Sequence, residues 1–296
     1  MSTSHAIAPA LRPFEAIGRM ILNVVHYLGG MGLLGLNAVR AVVRPKDEPP
    51  ALGPAVTRQL DRLIHYGFPL VAIMHVGLGS FLAMQAYFGA TFLDGIGPVV
   101  GVGLIRNIAP LMSGMVLAGL LAAQYTSELR RDDRELLDHD PSWTPDREIR
   151  EGRALDPRAR IEPARLAAAR MIAAMLAGPV MGVWGSLVGI VVGFGVASGL
   201  LRVSTPGFFD MFMQMLWVRD VIGVFVKGVA FGLAGSWFAC YEGLRTDARP
   251  DSVPGAAVRA ASLAGVSILV INSAWFLIFY HAGPAFGPTL LAPPLQ

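Results

Sequence analysis

Four polar side chains sit where the surrounding sequence is otherwise apolar. Lys227 lies inside the run GVFVKGVAFGLAG, Asp220 stands seven positions before it, and Arg106 and Asn107 interrupt the stretch 95–127. Seven residues are about two helical turns, which puts Asp220 and Lys227 on one helix face. A charge at bilayer depth costs about 2.5–3.5 kcal/mol on insertion scales, so such a group turns toward the bundle interior, a partner or a polar cavity. Two chemistries follow. Either the charges pair between helices or reach the headgroups, or they line a polar path for a charged or zwitterionic substrate. Gln85 and Tyr87, near the outer end of an earlier apolar run, read as interfacial anchors or as lining of such a path.

Other chemistries lack their residues. His26, His65, His75 and His281 are scattered and no HExxH is present, so helical zinc chemistry has no support. Cys240 is the single cysteine and cannot form an intrachain disulfide. The only lysines are Lys46 and Lys227, and neither belongs to a GxxxxGK[ST] loop. Any ATP must therefore be bound by another chain, and no cofactor is expected on this one.

The elements that must hold those polar groups are membrane helices. Of 296 residues, 54% are hydrophobic and 15% charged, against about 25% charged in soluble domains. Mean hydropathy is +0.54. Too little polar surface remains to cover a water-facing globule, which excludes a soluble enzyme, a disulfide-rich secreted domain and a disordered tail. The net charge of +3 is read as loop arginine rather than as a nucleic-acid footprint. The first twenty residues lack the apolar core and cleavage site of a signal peptide.

Apolar blocks near 64–93, 95–127, 171–201, 211–241 and 260–282 predict five transmembrane helices of an all-α, polytopic membrane protein. A charge-free stretch at 20–39 contains Gly29, Gly30, Gly32 and Gly35 as well as Asn23, His26 and Asn37, and arginines bracket it. That pattern favours a helix lying in the headgroup plane over a sixth span. Lys and Arg concentrate in 40–62, 128–170 and 242–259, which predicts these loops to be cytoplasmic. The N-terminus is then cytoplasmic and the C-terminus on the far side. The expected organisation is an interfacial N-terminal region over 1–62, a transmembrane domain over 63–282 with a charged cytoplasmic loop at 128–170, and a non-cytoplasmic tail at 283–296. Gly182, Gly185, Gly189, Gly193 and Gly195 predict close helix packing within the bundle, or alternatively a dimer seam.

Three strings carry a family likeness. GPVVGVGLIRNIAPLMSGMVLAGLLAAQYTSEL resembles the most characteristic segment of MlaE-type (YrbE-type) permeases, whose usual form is close to LLRELGPVLTALLVAGRVGAAIAAELG. DVIGVFVKGVAFGLAGSWFACYEGL is similar to the family's D-L-x-x-G-x-x-K-S-x-x-F-G…CYxG segment, and GAAVRAASLAGVSILVINSAWFLIF resembles its final span. The likeness covers about residues 64–282 in order.

The resemblance implies the family's fold, an interfacial helix plus five spans. It also implies a homodimeric permease of the bacterial inner membrane, driven by a separate ATPase subunit that carries ATP and magnesium. An MCE-domain protein, as a hexameric ring, would stand on the far side, with phospholipid or a related lipid as cargo. By position, Arg106, Asp220 and Lys227 fall on the family's polar intramembrane positions. They become lipid-binding or gating candidates together with Asn107, Gln85 and Tyr87.

Two departures stand out. The family usually has Arg-Glu where this chain has Arg106-Asn107. In place of a short coupling helix, Ser127-Glu128-Leu129 is followed by a long Arg/Asp/Glu-rich loop in which only Glu151 and Asp156-Pro157 loosely match. Glu128, Glu151, Asp156 and Pro157 are the ATPase-coupling candidates. Two other functions compete with the lipid permease. One is an ATP-independent secondary transporter or channel subunit, with Asp220 and Lys227 as an ion or proton relay. The other is a membrane-embedded lipid-modifying enzyme, for which no acid/base or metal constellation is present.

Overall fold

The computed structural model describes residues 4–43, 52–89, 97–138, 161–245 and 253–281. They form seven α-helices with no strand among the described residues. These are α1 (Ser4–Val43), α2 (Leu52–Gly89), α3 (Ala109–Asp138), α4 (Ile161–Gly199), α5 (Thr205–Met215), α6 (Val218–Leu244) and α7 (Val253–Phe276). Two π-helical turns, Pro98–Val102 and Leu104–Ile108, lead into α3, and a third, Leu277–His281, follows α7. The chain is an all-helical, multi-pass membrane protein, and its outward faces carry the apolar residues that lipid requires: Ile73, Phe88, Val191 and Val270 are each more than 60% exposed.

The core is built on α4 and α6. α2 packs along α4, α6 lies between α4 and α7, and α3 fills the space against α4, α6 and α7. Small residues set the spacing. A Cβ on Gly178 would overlap the Gly228 carbonyl, and one on Gly232 would overlap the Ala174 carbonyl, so α4 and α6 touch backbone to backbone. Gly182, Gly185, Gly189 and Gly193 likewise face Val224, His75, Leu104 and Val100 inside the bundle, and only Gly195 has open space beside it. Here the glycine pattern serves packing within one chain.

Six helical stretches are long and apolar enough to cross a membrane, the first being Ile17–Val43. Length alone would admit α1 as a span, but its contacts distinguish it from the others. Its inward residues Tyr27, Gly30, Met31, Leu34, Ala38 and Ala41 follow three- and four-residue spacing and form one stripe. Gly30 packs on Tyr241 and Gly35 on Trp237, whose indole Nε1 donates to the Met31 carbonyl at 3.0 Å. Ala38 and Ala41 join the buried cluster of Leu129, Ala167 and Ala168. All of these partners lie at one end of the bundle, at the end of α3, the start of α4 and the end of α6. Over residues 17–41 α1 is about 36 Å long, and it lies across that end rather than alongside the bundle's full height. These contacts seat α1 on one end of the bundle, while its length and composition match those of the other candidate spans.

Several boundaries differ from the sequence expectation: α2 already begins at Leu52, and both ends of the charged loop expected at 128–170 are helical, since α3 runs to Asp138 and α4 starts at Ile161. The block 211–241 is not one helix: α5 ends at Met215, and Leu216 and Trp217 are extended before α6 begins. The break follows from local capping. Ser204 accepts from the Gly207 N–H at 3.3 Å to start α5, and Asp220 accepts from the Trp217 N–H at 3.0 Å to start α6. The block 95–127 opens with two π-helical turns, where Pro98 and Pro110 deny the backbone two donors.

Candidate functional site

At the end of the bundle opposite α1, the start of α6, the π-helical turn before α3 and the turn after α7 meet around one carboxylate. Asp220 is buried in the first turn of α6, where the helix N-terminus already favours negative charge. Arg106 grips it with two parallel bonds, Nε to Oδ1 at 2.9 Å and Nη2 to Oδ2 at 3.0 Å. The Tyr280 hydroxyl donates to Oδ1, and the Trp217 N–H fills a remaining lone pair of Oδ2. The side chain of Arg106 keeps 26% of its surface exposed.

Two aromatic rings frame the cations. The Arg106 guanidinium lies 5.2 Å from the Trp217 ring centroid and 5.0 Å from that of Tyr280. Arg219 stacks more closely on the same two rings, at 3.7 and 4.5 Å, and donates to the Phe279 carbonyl at 3.1 Å.

Lys227 is almost wholly buried, yet it does not bond Asp220. Its ammonium donates to the backbone carbonyl of Arg106 at 2.5 Å. The sequence explains why that acceptor is available. In an α-helix the Arg106 carbonyl would accept from residue 110, which is Pro110 and has no N–H. A proline four residues after Arg106 thus removes one backbone competitor for the acceptor that the buried lysine uses. Asn107, on the same turn, accepts from the Asn272 amide of α7 at 2.8 Å.

Arg106, Asp220, Lys227 and Asn107 are thus brought into one region, with Arg106 as the hub. Gln85 and Tyr87 are exposed near the end of α2, where Tyr87 packs edge-on against Phe88. No described hydrogen bond or ring contact ties them to the hub. Trp217, Arg219 and Tyr280 were not singled out by the sequence. Their signal is an aromatic residue next to a charge at a helix end, which linear spacing cannot connect across sixty residues.

The cytoplasmic-loop candidates divide. Glu128 joins three helices: it accepts from Arg62 of α2 at 2.8 Å, from Arg170 of α4 at 3.1 Å and from Gln59 at 3.2 Å. A parallel clamp joins α6 to α7, where buried Glu242 accepts from Arg259 at 2.8 and 3.0 Å. Glu151, Asp156 and Pro157 lie outside the described residues. Among the described residues no group of three His, Cys, Asp or Glu side chains is placed to hold a metal ion.

Comparison with known proteins gives this geometry a family. The family model described as Permease MlaE matches residues 56–131 and 154–278. A probable ABC transporter permease protein of Rickettsia bellii is 24% identical over 261 residues, covering 87% of this chain and 94% of that protein. The corresponding Rickettsia prowazekii protein is 24% identical over 266 residues, with 88% and 95% covered. The intermembrane phospholipid transport system permease protein MlaE of Haemophilus influenzae is 21% identical over 277 residues, with 91% and 98% covered. With both matched segments running through the helices that build the Arg106 hub, this chain belongs to the MlaE permease family, a family of membrane transport subunits.

Proposed function

We propose that the chain moves phospholipid or a closely related lipid across or out of the bacterial inner membrane, as the permease half of an ABC transporter. The observation that carries this reading is the charge balance of the hub. Among its described residues, three cations (Arg106, Arg219 and Lys227) stand against one carboxylate, Asp220. A cationic excess beside apolar walls suits an amphiphile with an anionic phosphate, because charge-assisted and bidentate bonds to phosphate are among the strong ones. In this reading Asp220, Tyr280 and Trp217 hold Arg106 in place. Arg106 and Arg219 meet the headgroup, and Lys227 with Asn107 steadies the π-helical turn that presents Arg106. Gln85 and Tyr87, exposed near the end of α2, meet the headgroup layer.

The work is supplied elsewhere. A separate ATPase subunit binds ATP and magnesium and pushes on the end of the bundle where Glu128, the 128–170 loop and α1 lie. Two copies of the chain form the permease, and an MCE-domain ring on the opposite side receives the lipid. The name of the Haemophilus influenzae relative supports the cargo, and the Rickettsia names support the ABC mechanism. Purification in mild detergent with the chain's genomic neighbours tests the assembly. Co-purifying P-loop ATPase and MCE chains, with ATP-dependent phospholipid transfer in liposomes, are expected. Ion-gradient-driven uptake by the lone chain would overturn the reading.

A further inference from the structure

We infer a second lipid site, separate from the Arg106 hub and at the opposite end of the bundle: a groove between α1 and the α6–α7 pair that holds an anionic phospholipid of the cytoplasmic leaflet. α1 is pinned tightly only along part of its length. Gly30 and Gly35 press on Tyr241 and Trp237, while a Cβ on Gly18 or Gly29 would meet nothing. Beside the edge-on contact of Tyr27 with Tyr241, an open groove of about 920 Å³ remains between α1 and the α6–α7 pair. That falls within the range of about 300–1,000 Å³ typical of small-molecule sites.

The lining has the two halves of an amphiphile. Arg19 and Arg245 supply the charged part of the lining, and Val24, Leu28, Phe238 and Leu263 supply the apolar part. Arg245 also reaches Glu242 at 3.9 Å and leaves a third of its side chain exposed. A guanidinium has five N–H donors, so a partner already present still leaves donors for phosphate oxygens. Val24 and Leu28 are about half exposed, and their side of the groove faces where acyl chains run. A soluble anion would leave those walls uncovered, and a purely apolar helix would leave the spare N–H donors of the guanidinium groups unused. An anionic phospholipid satisfies both, with its phosphate between the arginines and one chain along the walls.

The site is read from α1 and the ends of α6 and α7 and does not depend on what the hub carries. The full-length chain is placed in nanodiscs with phosphatidylglycerol bearing a photoactivatable acyl chain, and in parallel with the matching phosphatidylcholine. Labelling by phosphatidylglycerol is expected on peptides containing Val24–Leu28, Phe238 or Leu263. In the Arg19→Gln/Arg245→Gln double variant it is expected to fall by about tenfold. Val24→Trp, which fills the groove and keeps both arginines, is expected to lower it as well. Labelling that lands elsewhere, is equal for the two lipids, or persists in both variants would overturn the site. So would efficient disulfide formation between two Leu28→Cys chains, which would show that a second copy covers the groove.

Discussion

Arg106 is held from both of its ends, by Asp220 at the guanidinium and by Lys227 at the carbonyl, and the two contacts respond differently to mutation. Arg106→Ala leaves a buried carboxylate without its cation. Breaking a fully buried pair costs about 3–5 kcal/mol, and with Arg106 a quarter exposed about 2–3 kcal/mol is expected. Thermal unfolding in detergent should show the loss, and Arg106→Lys should recover part of it, since a lysine restores the charge but not the bidentate geometry. Pro110→Ala is a subtler test. It supplies the N–H that an α-helical Arg106 carbonyl would accept, and so competes with the Lys227 ammonium. Because Lys46 is the only other lysine, amine-reactive labelling of the variant in a Lys46→Arg background, read by mass spectrometry on the Lys227 peptide to separate it from the α-amino group, reports on Lys227. Labelling should rise several-fold over the same background with Pro110, and unchanged labelling would mean that the proline does not govern the contact. The sequence made Arg106, Asp220 and Lys227 legible, since charges in apolar runs announce themselves. It left their pairing open: charge pairing between helices was one of two readings, and the structure pairs Arg106 with Asp220 while Lys227 meets the Arg106 carbonyl. That depends on a carbonyl for which Pro110 offers no N–H and on Tyr280 arriving from sixty residues away, neither of which helical spacing encodes.

Among the helices, close approach between α4 and α6 decides whether the hub can form at all. Gly232→Leu would drive a side chain into the Ala174 carbonyl, and separating two backbones exceeds the usual 1–3 kcal/mol of overpacking. Gly195→Leu meets open space and should be tolerated. Monodisperse yield in detergent should collapse for the first variant and match wild type for the second; equal yields would mean that the α4–α6 seam is plastic. Glu128 acts on three helices at once, tying α2, α3 and α4 within the last third of α3. Glu128→Gln keeps some hydrogen bonds and loses the charge, so a destabilisation of about 1–2 kcal/mol is expected in the same unfolding assay. The five spans were readable because each is a long apolar run with arginine-rich flanks. Two details were not. Whether 211–241 is one helix depends on the capping bonds of Ser204 and Asp220, and the π-helical entry to α3 depends on what its prolines leave unbonded. In α1, by contrast, the glycines and polar residues that argued for an in-plane helix include Gly30 and Gly35, the positions that seat it on Tyr241 and Trp237.

Taken as one assembly, the bundle has two unlike ends. One carries α1 and the Glu128 and Glu242 clamps; the other carries the Arg106 hub and the short α5. The proposed function puts the first end in the cytoplasm. Cysteines placed one at a time at Ser4, Ser142 and Thr289 check this with a membrane-impermeant thiol reagent, against a background in which the native Cys240 is buried. Ser4→Cys and Ser142→Cys should react only after the membrane is opened, and Thr289→Cys in intact cells with a permeable outer envelope. In the proposed function, motion begun at the end that carries α1 reaches the hub through α4 and α6, which pack on each other along the bundle. The claim on which this account turns is that the hub's surplus positive charge receives a lipid phosphate. Its most direct measurement is ATP-dependent transfer of labelled phospholipid by the reconstituted complex, comparing wild type with Arg219→Gln and Lys227→Met at equal amounts of folded, assembled protein. The account predicts about a tenfold fall in transfer for Arg219→Gln, which removes a headgroup contact of about 1–2 kcal/mol, and a fall for Lys227→Met through the loosened turn that presents Arg106. Wild-type transfer by both variants would contradict it.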